Sequence, residues 1–451
     1  MSTVVVGGGI SGLVIAHELV KRGEDVQLLE ASPRIGGTIR TFHQEGFFTE
    51  AGPNGFLDNE PATLELVEEL GLTPRLRRAE PTVKRRFVFS RGALHELPSN
   101  PAAFFGSQIL SLGSKLRLLA EPFTRRPATD GDESLASFAR RHLGAGAADT
   151  LVDAMQSGIF AGDPEQLSVA AVFPRLVELE KKHRSLVWGM VRARKAAKDS
   201  DHRAKTSGGA LCTFDQGLEV LPRALGERLG DRVRTGVTVE QLRPDQEGWG
   251  LQTSVGPVQA RRLVLALPSY AAAELMRPLD PTLADELDQI LYSPVSVVHL
   301  GFRSDELPRS MGGFGFLVPE RERRRVMGAI FVSSIFPWRV EKDGTLLTVM
   351  VGGARHPELA ALSEAQLVEL VREELTVVMG LRDEPHFTQV VRWPRAIPQY
   401  NVGHLARIAR LQERLLTLPR LFLTGNAYRG IGVNDCVRTG LTMAERVLAS
   451  G

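Results

Sequence analysis

Val4-Val5-Val6 is a short apolar run that stops at Gly7-Gly8-Gly9, and from Leu13 to Val20 apolar residues recur at the spacing of one helix face. Val26-Gln27-Leu28-Leu29 is a second short apolar run, closed by Glu30. Together they predict a β-turn-α-β unit. Residues 99–205 carry several amphipathic periods and few β-branched runs, which predicts a mostly helical stretch. Strand signals return in Val233 to Leu242, Trp249 to Ser254 and Arg262 to Leu267. Residues 295–352 are rich in β-branched and aromatic residues, with glycine pairs at turns. Ala361 to Met379 reads as one amphipathic helix, Arg420 to Gly425 as a late strand, and about Val433 to Leu448 as a closing helix. No internal repeat or low-complexity tract interrupts this order. The charged, then Gly/Ser-rich segment Asp199 to Gly209 is the best candidate linker.

Composition narrows the class. The chain has 451 residues, 43% apolar and 24% charged, which suits two or three globular domains with a large core. A formal charge of +2 gives no reason to expect a nucleic-acid partner. Two cysteines, Cys212 and Cys436, exclude a disulfide framework and suit a reducing, cytoplasmic compartment. No Cys or His spacing suggests a metal site. Met1-Ser2-Thr3 runs straight into the first apolar stretch, so no secretory signal is expected, and no apolar run is long enough to span a bilayer.

The glycines carry the first chemistry. Gly7-x-Gly9-x-x-Gly12 (Gly7, Gly8, Gly9, Ile10, Ser11, Gly12) follows a strand and opens a helix. Gly7 permits the tight turn, Gly9 a close approach to a pyrophosphate, and Gly12 close packing of helix on strand. The helix N-terminus presents N–H groups to the phosphates. Glu30, with Ala31 after it, is placed to accept hydrogen bonds from a ribose diol. Next comes Arg34-x-Gly36-Gly37-x-x-x-Thr41, which resembles the extension found in flavoproteins of the amine oxidase and phytoene desaturase type. There is no second GxGxxG, so one FAD and no separate nicotinamide domain is expected. Gly430-Ile431-Gly432-Val433-Asn434 leads into the final helix and suits the flavin N1/C2=O edge, where N–H groups would stabilise the reduced ring.

More specific stretches follow: Glu50-Ala51-Gly52-Pro53-Asn54-Gly55-Phe56, Arg86-Phe87-Val88-Phe89 with Gly92-Ala93-Leu94, and Gly158-Ile159-Phe160-Ala161-Gly162-Asp163. To these are added Gly313 to Pro319, Ile397-Pro398-Gln399-Tyr400 and Val433-Asn434-Asp435-Cys436. With them the chain resembles the protoporphyrinogen oxidase family of FAD enzymes over nearly its whole length, most closely its bacterial, oxygen-using members. The resemblance implies an α/β fold, α+β overall. Its parts are a Rossmann-type FAD-binding domain of the p-hydroxybenzoate hydroxylase type, a mixed-sheet substrate domain and an inserted helical domain. The expected division is residues 1–85, 206–273 and 392–451 for FAD, 86–98 and 274–391 for substrate, and 99–205 for the helical domain. The implied cofactor contacts are Gly7 to Gly12, Glu30, Gly37, Thr38, Gly52, Pro53, Asn54, Gly55, Val239, Trp393, Ile431, Gly432 and Val433. The implied substrate contacts are Arg86, Gly158, Phe314, Leu317 and Met350, with Asn54 beside them. At Asn54 animal members carry arginine, and bacterial and plant members asparagine.

The implied reaction removes six electrons from protoporphyrinogen IX in three hydride transfers to non-covalently held FAD, with oxygen reduced to hydrogen peroxide. No catalytic acid or base is required, which suits an apolar slot of Phe314, Leu317 and Met350. Arg86 would hold a propionate bidentately, although spacing alone does not select it over Arg85. Coproporphyrinogen III is the rival substrate, and an amine oxidase or carotenoid desaturase activity a more distant alternative. A non-catalytic, FAD-retaining assembly factor is a third. Cys436 reads as a buried structural thiol and not a flavin tether. Two segments suit peripheral attachment to the cytoplasmic face of a membrane: the basic, Trp188-bearing stretch 175–205 and the apolar stretch Phe104 to Leu119. A solvated face packed on the core accounts for them equally well, and a homodimer is compatible with the sequence.

Overall fold

The computed structural model describes residues 3–98, 100–123, 131–183, 185–189, 192, 209–303, 312–341 and 344–450. The opening unit forms as the periodicity requires: strand β1 (Thr3–Val6), helix α1 (Ile10–Lys21) and strand β2 (Val26–Glu30). Every residue of β1 is buried, because helices cover both faces of its sheet. Among the described residues that sheet has five parallel strands in the order Val233–Thr235, β2, β1, Arg262–Leu265, Leu421–Leu423. The order reverses at β1, so a crevice opens above its carboxyl end, where doubly wound sheets take their ligands. Helix α1 and the closing helix Val433–Ala449 pack on the same side, with Val14 against Gly440.

The expected strand from Val233 to Leu242 is divided. Gly236 takes a left-handed conformation (φ 69°) that turns the chain out of the parallel sheet after Thr235. Val239–Pro244 then joins Trp249–Thr253 and Gly256–Ala260 in a separate antiparallel sheet. The amphipathic helix begins later than the apolar period, at Glu364. Ser363 and Gln366 close a capping box there.

A sheet of seven strands spans 87–96 and 292–398, ordered Phe387–Pro398, Tyr292–Arg303, Gly344–Gly352, Val326–Phe331, Gly315–Leu317, Phe87–Ser90, Ala93–Glu96. One face is sealed by the helix Glu364–Met379, through Leu367, Leu370, Val371 and Leu375 against Val298, Leu300, Val349 and Val351. The other face carries Val295, Val297, Met350 and Val391, packed with Ala161 and Met327.

The described part of 99–205 is helical, including Leu135–Leu143, Asp153–Phe160 and Pro174–His183. The apolar stretch Phe104 to Leu119 is not one helix. It is Pro101–Gly106 and Leu112–Leu119, hinged on the buried Ile109 and Leu110. The candidate linker, bar Gly209, lies outside the described residues, as do Met190, Val191 and most of the basic positions after His183.

Candidate active site

The glycine turn divides its labour as its spacing suggests. Gly7 is left-handed (φ 109°), and a Cβ there would lie 2.4 Å from the Ala266 carbonyl oxygen. A Cβ on Gly12 would lie 2.0 Å from the Gly7 carbonyl oxygen. A Cβ on Gly9 would meet nothing within 4 Å. Gly7 and Gly12 are therefore packing positions, while Gly9, the N-cap of α1, borders open space at the positive end of a helix. Glu30 is oriented over this turn by two backbone donors, Gly8 N at 2.6 Å and Ser32 N at 2.8 Å. Each carboxylate oxygen keeps acceptor capacity for a hydroxyl. The chain leaving Gly236 passes the same spot, with Val237 N donating to the Glu30 carbonyl, and leads into the buried Val239.

The second glycine pair folds back onto the first. Gly36 N donates to the Gly8 carbonyl at 2.7 Å, and a Cβ on Gly37 would stand 3.3 Å from Gly9 Cα. Arg34 spends its guanidinium within this loop, on the carbonyls of Ile35, Gly37 and Ile39. Through these bonds it braces the loop. Gly52 and Gly55 are equally confined: a Cβ would lie 2.6 Å from the Thr38 carbonyl oxygen and 2.2 Å from that of Cys212.

Trp393 connects this loop to the seven-stranded sheet. It lies on the strand Phe387–Pro398, and its indole N–H donates to the Ala51 carbonyl at 2.7 Å. Trp393 pairs with Val295, two residues from Val297, so both point to the face that Trp393 marks. Val297 pairs with Met350, Met350 with Gly328, and Gly328 with Leu317. Val297, Met350, Gly328 and Leu317 thus cross the sheet as one row on that face. Gly328 has no side chain, so Leu317 Cδ2 lies over it, 3.1 Å from where a Cβ would stand, and that Cβ would strike the Phe316 carbonyl oxygen at 2.4 Å. Met350 and Leu317 are half-buried, while the same strands bury their other face completely.

Gly158, in the helix Asp153–Phe160, faces this row, and a Cβ on it would lie 2.7 Å from Leu317 Cδ2. The structure therefore brings Gly158, Leu317 and Met350 together. Arg86 and Phe314 form a neighbouring pair, with the guanidinium 5.1 Å from the ring centroid. Pairing distinguishes Arg85 from Arg86: Arg85 is tied to Glu96 at 2.8 Å, whereas Arg86 has no ion pair among the described residues.

The C-terminal glycines also fold as the motif suggests. Gly432 is the N-cap of Val433–Ala449, and its N–H is held by Asp435 Oδ2 at 3.2 Å. Val433 is buried and Ile431 half-buried, packed beside the apolar cluster of the helical segment. Asn434 donates to the Leu57 carbonyl, and its Oδ1 is buried with no partner. Cys436 is buried, and desolvation pushes its thiol up to about 11. A thiol so rarely ionised is a poor nucleophile, as a structural role requires.

Three further residues at the site were not singled out from the sequence. Arg339 is buried beneath the Ala51–Asn54 loop on Glu50. Glu50 itself also accepts from Leu218 N and Thr41 Oγ1. Burial pushes the Glu50 carboxyl up, against the opposing pull of the Arg339 guanidinium. Gly328 could have been suspected, since a glycine inside an apolar strand marks a close approach. His404 lies under the C-terminal loop, stacked on Tyr400 at 4.2 Å, while Tyr400 donates to the Asn426 carbonyl.

Burial pushes His404 down to about 4 from 6.5. Its folded-state proton affinity is below that of the unfolded chain, so this stability is complete above about pH 6.5 and is lost as the pH falls toward 4. The expected loss is about 3 kcal/mol. Thermal denaturation from pH 7 to 4 should show a steep decline that His404→Gln, which takes up no proton, flattens.

The open glycine cradle, the oriented acid beside it and an orphaned buried acceptor at a second helix start fit a long dinucleotide. With the Rossmann-order sheet they define an FAD-binding oxidoreductase. The model for flavin containing amine oxidoreductases matches residues 10–448, and the chain belongs to that family. It is 32% identical over 471 residues to the chloroplastic protoporphyrinogen oxidase of Nicotiana tabacum, covering 99% of this chain and 85% of that one. It is 31% identical over 452 residues to the coproporphyrinogen III oxidase of Bacillus subtilis, covering 97% and 96%. Its fold matches the crystal structure of an Exiguobacterium sp. 255-15 protein assigned as a protoporphyrinogen oxidase. That match has TM-score 0.86 and 26% identity, over 100% of this chain and 99% of the other.

Proposed function

We propose that the chain oxidises protoporphyrinogen IX to protoporphyrin IX, with coproporphyrinogen III as the alternative substrate. The reading rests on one observation: the Leu317–Gly328–Met350–Val297 row lies on the sheet face that also presents Trp393 to Ala51. An apolar trough then abuts the loop expected to touch the flavin. When bound, FAD supplies acceptance of a hydride from a meso carbon three times over, with oxygen as the final oxidant.

The chain's own residues position and exclude water. Gly9 and the α1 N-terminus take the pyrophosphate, Glu30 and Ala31 the ribose, and Val239 the adenine side. Gly36, Gly37, Thr38, Gly52 to Gly55, Trp393 and Ile431 to Val433 line the rest. Val239 follows the turn from Gly236, and Ile431 precedes a helix N-terminus, which suits those assignments. No covalent tether is involved. The trough of Leu317 and Met350, roofed by Gly158, takes the macrocycle. No titratable side chain stands in that row, so the substrate nitrogens provide the electronic push. Arg86, without an ion pair among the described residues and stacked on Phe314, holds a propionate.

Anaerobic mixing with protoporphyrinogen should bleach the flavin, faster than coproporphyrinogen does; an unchanged spectrum with both removes the reading. For Arg86→Ala, KM should rise by more than kcat falls, by about tenfold for a lost charge-assisted contact. Steady-state rates followed by porphyrin fluorescence check this, and an unaltered KM takes Arg86 out of the site.

The chain further attaches peripherally to a membrane. No helix among the described residues is long and apolar enough to cross one. Leu112, Leu116 and Leu119 are exposed along one side of their helix, with Phe105, Phe123 and Trp188 exposed in the same segment. An apolar stripe of this kind suits the lipid interface.

A further inference from the structure

Arg339 and Glu50 are each 1% exposed and joined at 2.8 Å. The Arg339 guanidinium lies 4.8 Å from the Phe336 ring centroid and 5.5 Å from that of Trp338. Besides Glu50, it donates through Nη2 to the Asn54 carbonyl at 3.1 Å and to Thr213 Oγ1 at 3.1 Å. Through Nη1 it donates to Asn54 Oδ1 at 3.4 Å. A buried ion pair adds little net stability, because desolvating both charges offsets their attraction. What this pair does is local. Glu50 opens the Ala51–Asn54 loop, Asn54 closes it, and Arg339 reaches both from the turn Pro337–Arg339, which joins two strands of the seven-stranded sheet.

The direction of the Asn54 amide follows from elementary chemistry. Arginine has only donors, so the end of the amide that faces Arg339 must be its oxygen. The NH2 end is turned the other way, and it donates to nothing among the described residues. Elsewhere the loop is already tied, by Trp393 to the Ala51 carbonyl and by Ala51 N to the Arg40 carbonyl at 2.8 Å.

We infer that Arg339 is a positioning residue for the flavin: it grips Asn54 by the amide oxygen and the carbonyl, so that the amide N–H donors are presented to the cleft. There they stabilise the negative charge that a flavin ring gains on reduction. The inference rests on the proposal that this loop contacts FAD, and it is independent of which substrate is oxidised.

The test is the two-electron midpoint potential of the FAD-loaded protein, measured by slow enzymatic reduction against reference dyes with no porphyrinogen present. Arg339→Lys keeps the charge and loses the fork. Its reduced-to-oxidised ratio at a fixed potential should fall about tenfold, a shift of about 30 mV. Asn54→Leu should give the same shift, and the double variant should be no lower than Asn54→Leu alone. If Arg339→Lys does not fold with flavin, Asn54→Leu alone decides, since it leaves the buried pair intact. An unchanged potential in a folded, FAD-loaded variant overturns the inference, as do additive shifts in the double variant. A protein that shows the shifts but leaves porphyrinogen untouched would overturn the substrate reading and leave Arg339 in its role.

Discussion

Gly9→Val should yield a folded chain that has lost its flavin, whereas Gly12→Val should not yield a folded chain at all. Both substitutions fall in the same glycine turn, and a motif treats them alike. The structure does not. A side chain on Gly9 projects into space where nothing stands within 4 Å, so the apoprotein tolerates it. That space is what a pyrophosphate at the α1 N-terminus must occupy, and a valine there takes away both room and N–H access. FAD affinity should fall by about 100-fold or more, equivalent to about 2.8 kcal/mol. A side chain on Gly12 meets backbone 2.0 Å away, in the most tightly packed contact of the turn. Backbone cannot swing aside, so β1 and α1 must separate, at about 3 kcal/mol or more. Circular dichroism and flavin absorbance after purification separate the outcomes. A yellow Gly9→Val protein would show that the pyrophosphate does not pass there.

How much of this could be read from the residues alone depends on range. The β-turn-α-β unit was legible because its signals are local: apolar runs of strand length, a helical period, and glycines whose spacing encodes a turn. The Gly430–Val433 helix start was legible for the same reason. The Val233 to Leu242 stretch misled because strand propensity continues through Gly236, while a single left-handed residue sends its two halves into different sheets. The division within Phe104 to Leu119 was not legible either. Its apolar residues divide between an exposed stripe and the two buried hinge residues, which no single helical period can express.

The trough was out of reach in principle. Leu317, Gly328, Met350 and Val297 come from four strands, and only the register makes them a row. Resemblance supplied Leu317 and Met350 but said nothing of Gly328, over which Leu317 lies. Arg339 was the least legible of all. It sits in Pro337-Trp338-Arg339, which reads as an ordinary turn, and its partners Glu50, Asn54 and Thr213 lie far away in the chain. Charge pairing across such distances leaves no period and no spacing. What separates Arg85 from Arg86 is likewise non-local: Arg85 pairs with Glu96, from the adjoining strand of the hairpin.

Gly158→Ala should lower turnover of porphyrinogen while leaving the fold as stable as before or more so. Gly158 lies inside the helix Asp153–Phe160, where alanine is preferred over glycine by about 0.5–1 kcal/mol. Any effect through helix stability is therefore favourable, and a loss of activity must come from elsewhere. The added methyl would stand 2.7 Å from Leu317 Cδ2, the mobile end of a flexible side chain. Leu317, which already lies over Gly328, can yield only away from the helix, further along the row toward Met350, because its own strand is fixed on both edges. The trough narrows by roughly the width of a methyl group. A displacement near 1 Å in a bound reactant costs about 100-fold when the reacting atoms must stay aligned, so kcat/KM should fall by about 10- to 100-fold. FAD content should not change, since none of the glycine contacts is touched. Leu317→Ala added to Gly158→Ala should restore most of the rate by returning the space, although Leu317→Ala alone removes a wall and slows turnover. That non-additivity is the signature of one shared volume. Equal kcat/KM for Gly158→Ala and the unaltered chain would move the macrocycle off this face of the sheet. A double variant no faster than Gly158→Ala would show that Leu317 does not carry the effect.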